Sequence, residues 1–360
     1  MITYFELGKD KQLNDIVFAG SHDAGITGGG KNVQTQDLDI GGQASAGVRI
    51  FDLRIAAATV PGKYGNVKGA ELRAFHADGM FMKNESKTRH LEDVGRPVDL
   101  TRTKLSAGAF GMGLTKMLED ARDFVQSKSG SSEFLLLKFD KCTNWGLIAE
   151  ACTTVLDKVL LKADTNLNIT PLKALSGKVL PLFSPGGVKE LAGKVGPKDG
   201  IHGIRNLYDK ESGGLAYSPS FKGLQYYGKG GTSVMKPNDK IGQNEKKQAK
   251  LLEGAKFLGD PDVMGMMYWT TTGLLESIKK RNDKMWDAPN VARMRKLWAQ
   301  GLEEFIMQRN PLSLPPGSPA VGPARKRFMP NIVMIDFADE QKCRVIRGLN
   351  DLSPSDLAAL

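Results

Sequence analysis

The chain has 360 residues, of which 41% are hydrophobic and 25% charged, and it carries a net charge of +10. That content supplies a sizeable core, for one large domain or two small ones. The 41 glycines fit many loops and strand ends and argue against a helical bundle. The positive balance favours anionic partners: nucleic acid, phosphate esters or an acidic membrane surface. An ordinary basic protein is equally compatible with it. Three cysteines, Cys142, Cys152 and Cys343, lack metal-ligand spacing and make a disulfide framework unexpected, though one pair is left open. No run reaches the roughly 20 apolar residues of a membrane span. The opening stretch MITYFELGKDKQL has no basic region followed by an apolar one, so no signal peptide is read there. The location stays open between an intracellular protein, export by another route, and a chain whose leader has been removed.

Taken in order, short apolar runs alternate with helical patterns. The first strand candidate is IVFAG (Ile16 to Gly20), followed by SHDAG. VRIFDLRI (Val48 to Ile55) is the second and LRAFHA (Leu72 to Ala77) the third, with VPGKYGNVKGA (Val60 to Ala70) read as an inserted loop between them. Leu114, Met117, Leu118, Ala121 and Val125 then fall on one helical face. EFLLLKFD (Glu133 to Asp140) is the fourth strand. It is followed by a helical stripe of Ile148, Ala151, Cys152, Val155 and Val159, and by the strand KVLPLF (Lys178 to Phe183). GLQYY (Gly223 to Tyr227) supplies a further strand before a charged surface helix over 243–258. GMMYWTTT (Gly265 to Thr272), a stripe of Val291, Met294, Trp298, Leu302 and Phe305, and NIVMIDFA (Asn331 to Ala338) complete the series. Several strands are apolar on both faces, as buried parallel strands are. Eight strands alternating with helices predict a (β/α)8 TIM-type barrel, distorted or incompletely closed in the variant reading. The alternative, an open doubly wound sheet, lacks its glycine fingerprint after the first strand. The whole chain, 1–360, reads as one barrel domain with loop insertions near 60–70, 185–240 and 311–328. In the last of these, Arg325, Lys326 and Arg327 read as a solvated charge run in preference to a lipid contact.

Chemistry-bearing residues fall at the ends of the first three predicted strands. His22 and Asp23 follow the first, Asp52 and Arg54 lie two apart near the end of the second, and His76 ends the third. In a parallel barrel such ends meet on one face. Each residue taken singly also has a structural reading: a satisfied histidine, a buried salt bridge. Together they suit phosphodiester cleavage. One imidazole accepts a proton and a second donates one. A neighbouring carboxylate fixes the tautomer and stabilises the imidazolium, and a guanidinium matches the phosphate oxygens. No metal-ligand cluster is visible, and no cofactor is called for. His90 and His202 read as surface or loop residues.

The stretches GSHDAG, GVRIFDLRI and FHADG resemble the X-domain motifs of bacterial phosphatidylinositol-specific phospholipase C, most strongly over Ile16 to Gly79. The resemblance returns at EFLLLKFD and IVMIDFAD and is poor between Leu182 and Asp260. It implies His22 as general base, His76 as general acid, Asp23 as the carboxylate pairing with His76, and Asp336 as the carboxylate orienting His22. It also implies Arg54 as the phosphate-binding arginine with Asp52 as its companion, and Lys138 as a contact to the inositol ring. In the calcium-dependent relatives an acidic metal ligand occupies the position of Arg54, so the resemblance implies a metal-independent enzyme. This chain departs from the family at VLPLFSPGG (Val179 to Gly187), which lacks the ring-binding arginine. The ring-binding Asp-x-Tyr stretch has only Gln225 to Tyr227 as a counterpart. Tyr227 is a further candidate substrate contact, and Tyr268 and Trp269 are candidates to line the headgroup pocket, with core packing the default reading for both. Met80, Phe81 and Met82, in the loop after His76, are candidates for contact with an anionic membrane, or else pack beneath that loop.

The expected partner is therefore a phospholipid at a membrane surface, with no nucleic acid, and the expected state is a monomer. Two readings compete: a barrel phosphodiesterase acting on another phospholipid or glycerophosphodiester, and an inactive barrel that binds anionic lipid.

Overall fold

The computed structural model describes residues 1–62, 68–77, 79–208, 216–229, 232–233, 240–254, 262–272, 277–297 and 330–351. In chain order its strands are β1 (Phe18–Ser21), β2 (Val48–Leu53), β3 (Ile55–Pro61), β4 (Lys68–His76), β5 (Met82–Leu91), β6 (Arg96–Leu105), β7 (Ala109–Gly113), β8 (Phe134–Phe139), β9 (Lys178–Phe183), β10 (His202–Asn206), β11 (Gly223–Lys229), β12 (Met264–Trp269) and β13 (Ile332–Ile335), with a two-residue pair, Thr232–Ser233 and Thr271–Thr272, beside them.

Eight of these close a parallel barrel in the order β1, β13, β12, β11, β10, β9, β8, β2. The protein is a closed (β/α)8 TIM-type barrel. Strands β2, β8, β12 and β13 are buried at every position, which explains their unbroken apolar runs. At Gly20 a side chain has no room, because a Cβ there would sit 2.3 Å from the Met334 sulfur and 2.8 Å from Ile50. Helix α1 (Ile40–Ala46) follows β1, and α2 (Leu114–Gln126) packs Leu114, Met117, Leu118, Ala121 and Val125 inward, as the stripe predicts. In α3 (Trp145–Leu156) the buried face is Trp145, Ile148, Ala149, Cys152 and Leu156, rotated slightly from the predicted one. The cysteines are all unpaired. Among the described residues no helix is long and apolar enough to cross a membrane.

Four expectations need correction. LRAFHA is not a barrel strand. It belongs to β4, which forms an antiparallel hairpin with β3 from Ile55↔Ala74 to Pro61↔Lys68. A second hairpin, β5 with β6, pairs Met82↔Leu105 through Leu91↔Arg96, and β7 adds to β4. The insertion after β2 is thus a five-stranded sheet spanning most of 55–113, far more than a loop near 60–70. The missing barrel strand is β10, so 185–240 holds two barrel strands, β10 and β11, within the span expected to be an insertion. His202 opens β10 fully buried, with Nε2 hydrogen-bonded to the Leu161 carbonyl at 2.8 Å, and is not a surface residue. Residues 311–328, with Arg325, Lys326 and Arg327, lie outside the described residues, as do Trp298, Leu302 and Phe305.

At the end of the barrel where β2 and β8 begin, Arg49 and Glu133 form a fully buried pair at 2.8 Å. Arg49 also donates to the carbonyls of Ala44, Val48 and Ile2, and Glu133 accepts from the Tyr4 and Phe5 amides. Every charge-bearing atom of the pair is thereby matched, the condition under which such a pair is tolerated in a core.

Candidate active site

The site forms at the C-terminal ends of β1, β2, β8 and β13, and three local rules assemble it. First, β1 and β13 run in register with Ser21 opposite Ile335, and the His22 amide donates to the Ile335 carbonyl at 3.0 Å. His22 is thereby level with Asp336, and its Nδ1 donates to Asp336 Oδ1 at 2.9 Å. Second, β2 pairs with β8 so that Asp52 lies opposite Lys138, and Lys138 Nζ donates to Asp52 Oδ1 at 2.7 Å. Third, the chain leaves the barrel at Arg54 and the β3–β4 hairpin brings it straight back. The Phe75 amide bonds the Arg54 carbonyl at 3.0 Å. That return places His76 over the barrel, where its Nδ1 donates to Asp23 Oδ2 at 2.6 Å. Arg54 Nε lies 3.1 Å from the other oxygen, Asp23 Oδ1. His22 Nε2 stands 3.6 Å from Asp23 Oδ2, so both imidazoles flank one carboxylate oxygen.

The electrostatics follow from burial and pairing. Burial pushes the Asp23 carboxyl up, but Arg54, His22 and His76 outweigh it and hold the group far below the usual carboxylate range. Burial pushes the His22 imidazolium down. Asp23 and Asp336 again outweigh it, and His22 is raised to about 9. Burial keeps Asp336 above the usual carboxylate range although His22 opposes the shift. Asp23 raises Arg54, and Asp52 raises Lys138 against its burial, so both stay charged. Among the described residues no group of three or more His, Cys, Asp or Glu is placed to hold a metal ion.

Of the candidate residues, the structure gathers His22, His76, Asp23, Arg54 and Asp336 into one cluster, and brings Asp52 and Lys138 beside it. Tyr227 and Trp269 are not brought in. Tyr227 packs with Leu207, Tyr217 and Val263 and meets the Tyr208 ring edge-on at 5.3 Å. Trp269 is fully buried and donates its indole N–H to the Met285 carbonyl at 3.2 Å. In both cases the preceding residue faces the site, because neighbours on a strand point to opposite sides. Tyr268 sets its ring edge-on to His22 at 5.8 Å. Tyr226 lines a cavity of about 240 Å3 with Lys138, Asp140, Ser184, Ile204 and Asn206. The tyrosines in YYG and MYW are the signal in the sequence, but the choice within each pair needs the strand's facing. Met80, Phe81 and Met82 occupy the turn from β4 into β5: Met80 is 75% exposed, and its two neighbours are half-buried.

No family model and no curated protein sequence matches the chain. Solved structures do resemble it. A phosphatidylinositol-specific phospholipase C of Staphylococcus aureus aligns over 95% of each chain at 15% identity, with a TM-score of 0.47. A mutant of a phospholipase C of the same description and organism aligns over 96% of this chain and 94% of its own at 16% identity and a TM-score of 0.49. A calcium-dependent phosphoinositol-specific phospholipase C from a Gram-negative Pseudomonas species covers 72% of this chain and 84% of its own at 11% identity, with a TM-score of 0.37. Similarity at this level assigns no role to any residue, and the chemistry is read from the side chains.

Proposed function

We propose that the protein is a metal-independent phosphodiesterase that cleaves phosphatidylinositol-type lipids into diacylglycerol and a cyclic inositol phosphate. The observation that carries this reading is the pair of imidazoles. Each is bonded through Nδ1 to its own buried carboxylate, and Arg54 lies against the carboxylate that both rings flank. A ring tied at Nδ1 has its Nε2 left for proton transfer. In the proposed reaction His22 Nε2 takes the proton of the inositol 2-hydroxyl. That oxygen bonds to phosphorus while the bond from phosphorus to the glycerol oxygen breaks. His76 gives its Nε2 proton to the departing oxygen, which leaves as diacylglycerol. Arg54 offsets the charge that builds on the phosphoryl oxygens, and its fixed guanidinium supplies the positive charge an ion would otherwise bring. In this reading the cavity lined by Lys138, Asp140, Asn206 and Tyr226 receives the hydroxyl-rich ring.

Incubation with phosphatidylinositol vesicles in chelator is expected to release both products. Release only after calcium is added would refute metal independence. No release from any inositol lipid would remove the substrate assignment.

The turn carrying Met80, Phe81 and Met82 is the proposed membrane contact. It begins within a few residues of His76 and is followed by an exposed lysine, Lys83. Replacing all three with serine should weaken binding to anionic vesicles severalfold and spare cleavage of a water-soluble cyclic inositol phosphate. Equal loss of both would count against the contact.

A further inference from the structure

We propose that Thr35 and Gln36 form a clamp that positions the His22–Asp336 and His76–Asp23 pairs, a role that rests on the reading of the site given above. Both residues are fully buried in the loop between β1 and α1. The Gln36 side-chain amide bridges two strand ends from opposite ends of the chain: Nε2 donates to the His22 carbonyl at 2.9 Å and to the Ile335 carbonyl at 3.2 Å. Its Oε1 accepts from the Ala338 amide at 2.9 Å. These three contacts fix the orientation of the amide, since the reversed one would set an oxygen against two carbonyls. Thr35 works on the same two segments. Its hydroxyl donates to the Asp23 carbonyl at 2.8 Å, and its own carbonyl accepts from the Phe337 amide at 2.7 Å. The Thr35 and Gln36 amides both reach the Ile26 carbonyl at 3.1 Å, which ties the loop back to the turn after Asp23.

What the clamp holds is strained. Asp23 has φ of 44° and Phe337 has φ of 47°, a left-handed backbone that residues with a side chain rarely adopt. One lies directly after His22 and the other directly after Asp336. Such conformations persist where the surroundings over-determine them. Here the over-determination comes from one dipeptide that grips the carbonyl of Asp23 and the amide of Phe337 together. Relaxation at either residue would swing its carboxylate or the adjoining one away from its imidazole. A pair spanning two strands depends on such bracing, because neither strand alone fixes the distance between them.

The test uses the full chain and reads His22 directly. In the free protein its imidazole is faced by Asp23 and Asp336, by Asp52, and by the edge of Tyr268. Gln36→Met keeps the volume and removes all three side-chain hydrogen bonds. With the His22–Asp336 contact loosened, the His22 titration followed by NMR should move down by about one pH unit or more toward the ordinary value of about 6.5. On phosphatidylinositol, kcat should fall about 10- to 100-fold with KM within about twofold. Thr35→Val should lower kcat in the same way, and Thr35→Ser, which keeps the hydroxyl, should restore it. A folded Gln36→Met protein whose His22 titrates as in the native chain would overturn the clamp. If Gln36→Met does not fold, equal kcat values for Thr35→Val and Thr35→Ser would overturn it. The titration needs no substrate, so a native protein that cleaves no inositol lipid would sink the functional reading and leave the clamp to be judged by NMR alone.

Discussion

Replacing His22 or His76 with alanine is expected to slow phosphatidylinositol cleavage by about 10²- to 10⁴-fold, the usual contribution of a positioned proton-transfer group. The two variants should separate on a second substrate, an inositol phosphodiester with a nitrophenol leaving group. That leaving group departs as a stable anion and needs no proton. His76→Ala should therefore recover most of the native rate on it, whereas His22→Ala should not, because attack by the 2-hydroxyl still requires a base. Recovery by His22→Ala in place of His76→Ala would reverse the assignment of roles. The pH dependence has a defined sign. His22 is held at about 9 by Asp23 and Asp336 against its burial. It must be neutral to act as a base, so kcat/KM should rise with pH through the neutral range and level off only toward that value. Asp336→Asn removes one of the raising charges and should move this limb to lower pH. An unmoved limb would show that a group other than His22 controls it.

Removal of the Glu133 side chain, in Glu133→Ala, is expected to cost about 3–5 kcal/mol in stability, measured by urea unfolding. The variant leaves the Arg49 guanidinium buried without its counter-charge and strips the Tyr4 and Phe5 amides of their acceptor. Glu133→Gln keeps an acceptor oxygen and should lose less. Because the pair lies at the opposite end of β2 and β8 from the site, kcat and KM of the folded fraction should stay native. A loss below about 1 kcal/mol for Glu133→Ala would mean that water or rearrangement replaces the lost partner.

The barrel was legible because its strands are buried on both faces, and such strands leave unbroken apolar runs that need no knowledge of their partners. That holds for β2, β8, β12 and β13. It fails for β10, where HGIRN is short, polar and glycine-containing and becomes buried only by its neighbours β9 and β11. It fails in the other sense at LRAFHA. An antiparallel strand with one covered face offers the same few apolar residues as a barrel strand, and only its pairing with β3 tells them apart. The clamp residues Thr35 and Gln36 carry no periodicity or motif. Their importance comes from backbone groups of Asp23, Phe337 and Ala338 that approach them in the folded chain.

The sequence by itself determined the parallel α/β barrel and the set of charged and imidazole side chains gathered at the ends of β1, β2, β4 and β13. The barrel follows from apolar runs that make buried strands, and His22, Asp23, Asp52, Arg54 and His76 stand at the ends of apolar segments, whereas Asp336 and Lys138 enter through the resemblance. The pairings are those the resemblance implies, and tertiary structure supplies the geometry that makes them. Ser21 opposite Ile335 gives Asp336 to His22, and the returning β3–β4 hairpin gives Asp23 to His76. Tertiary structure also decided that Tyr226 and Tyr268, and not Tyr227 and Trp269, face the site. Register and strand facing are relations between segments far apart in the chain, and a one-residue shift would exchange every side chain between the two faces.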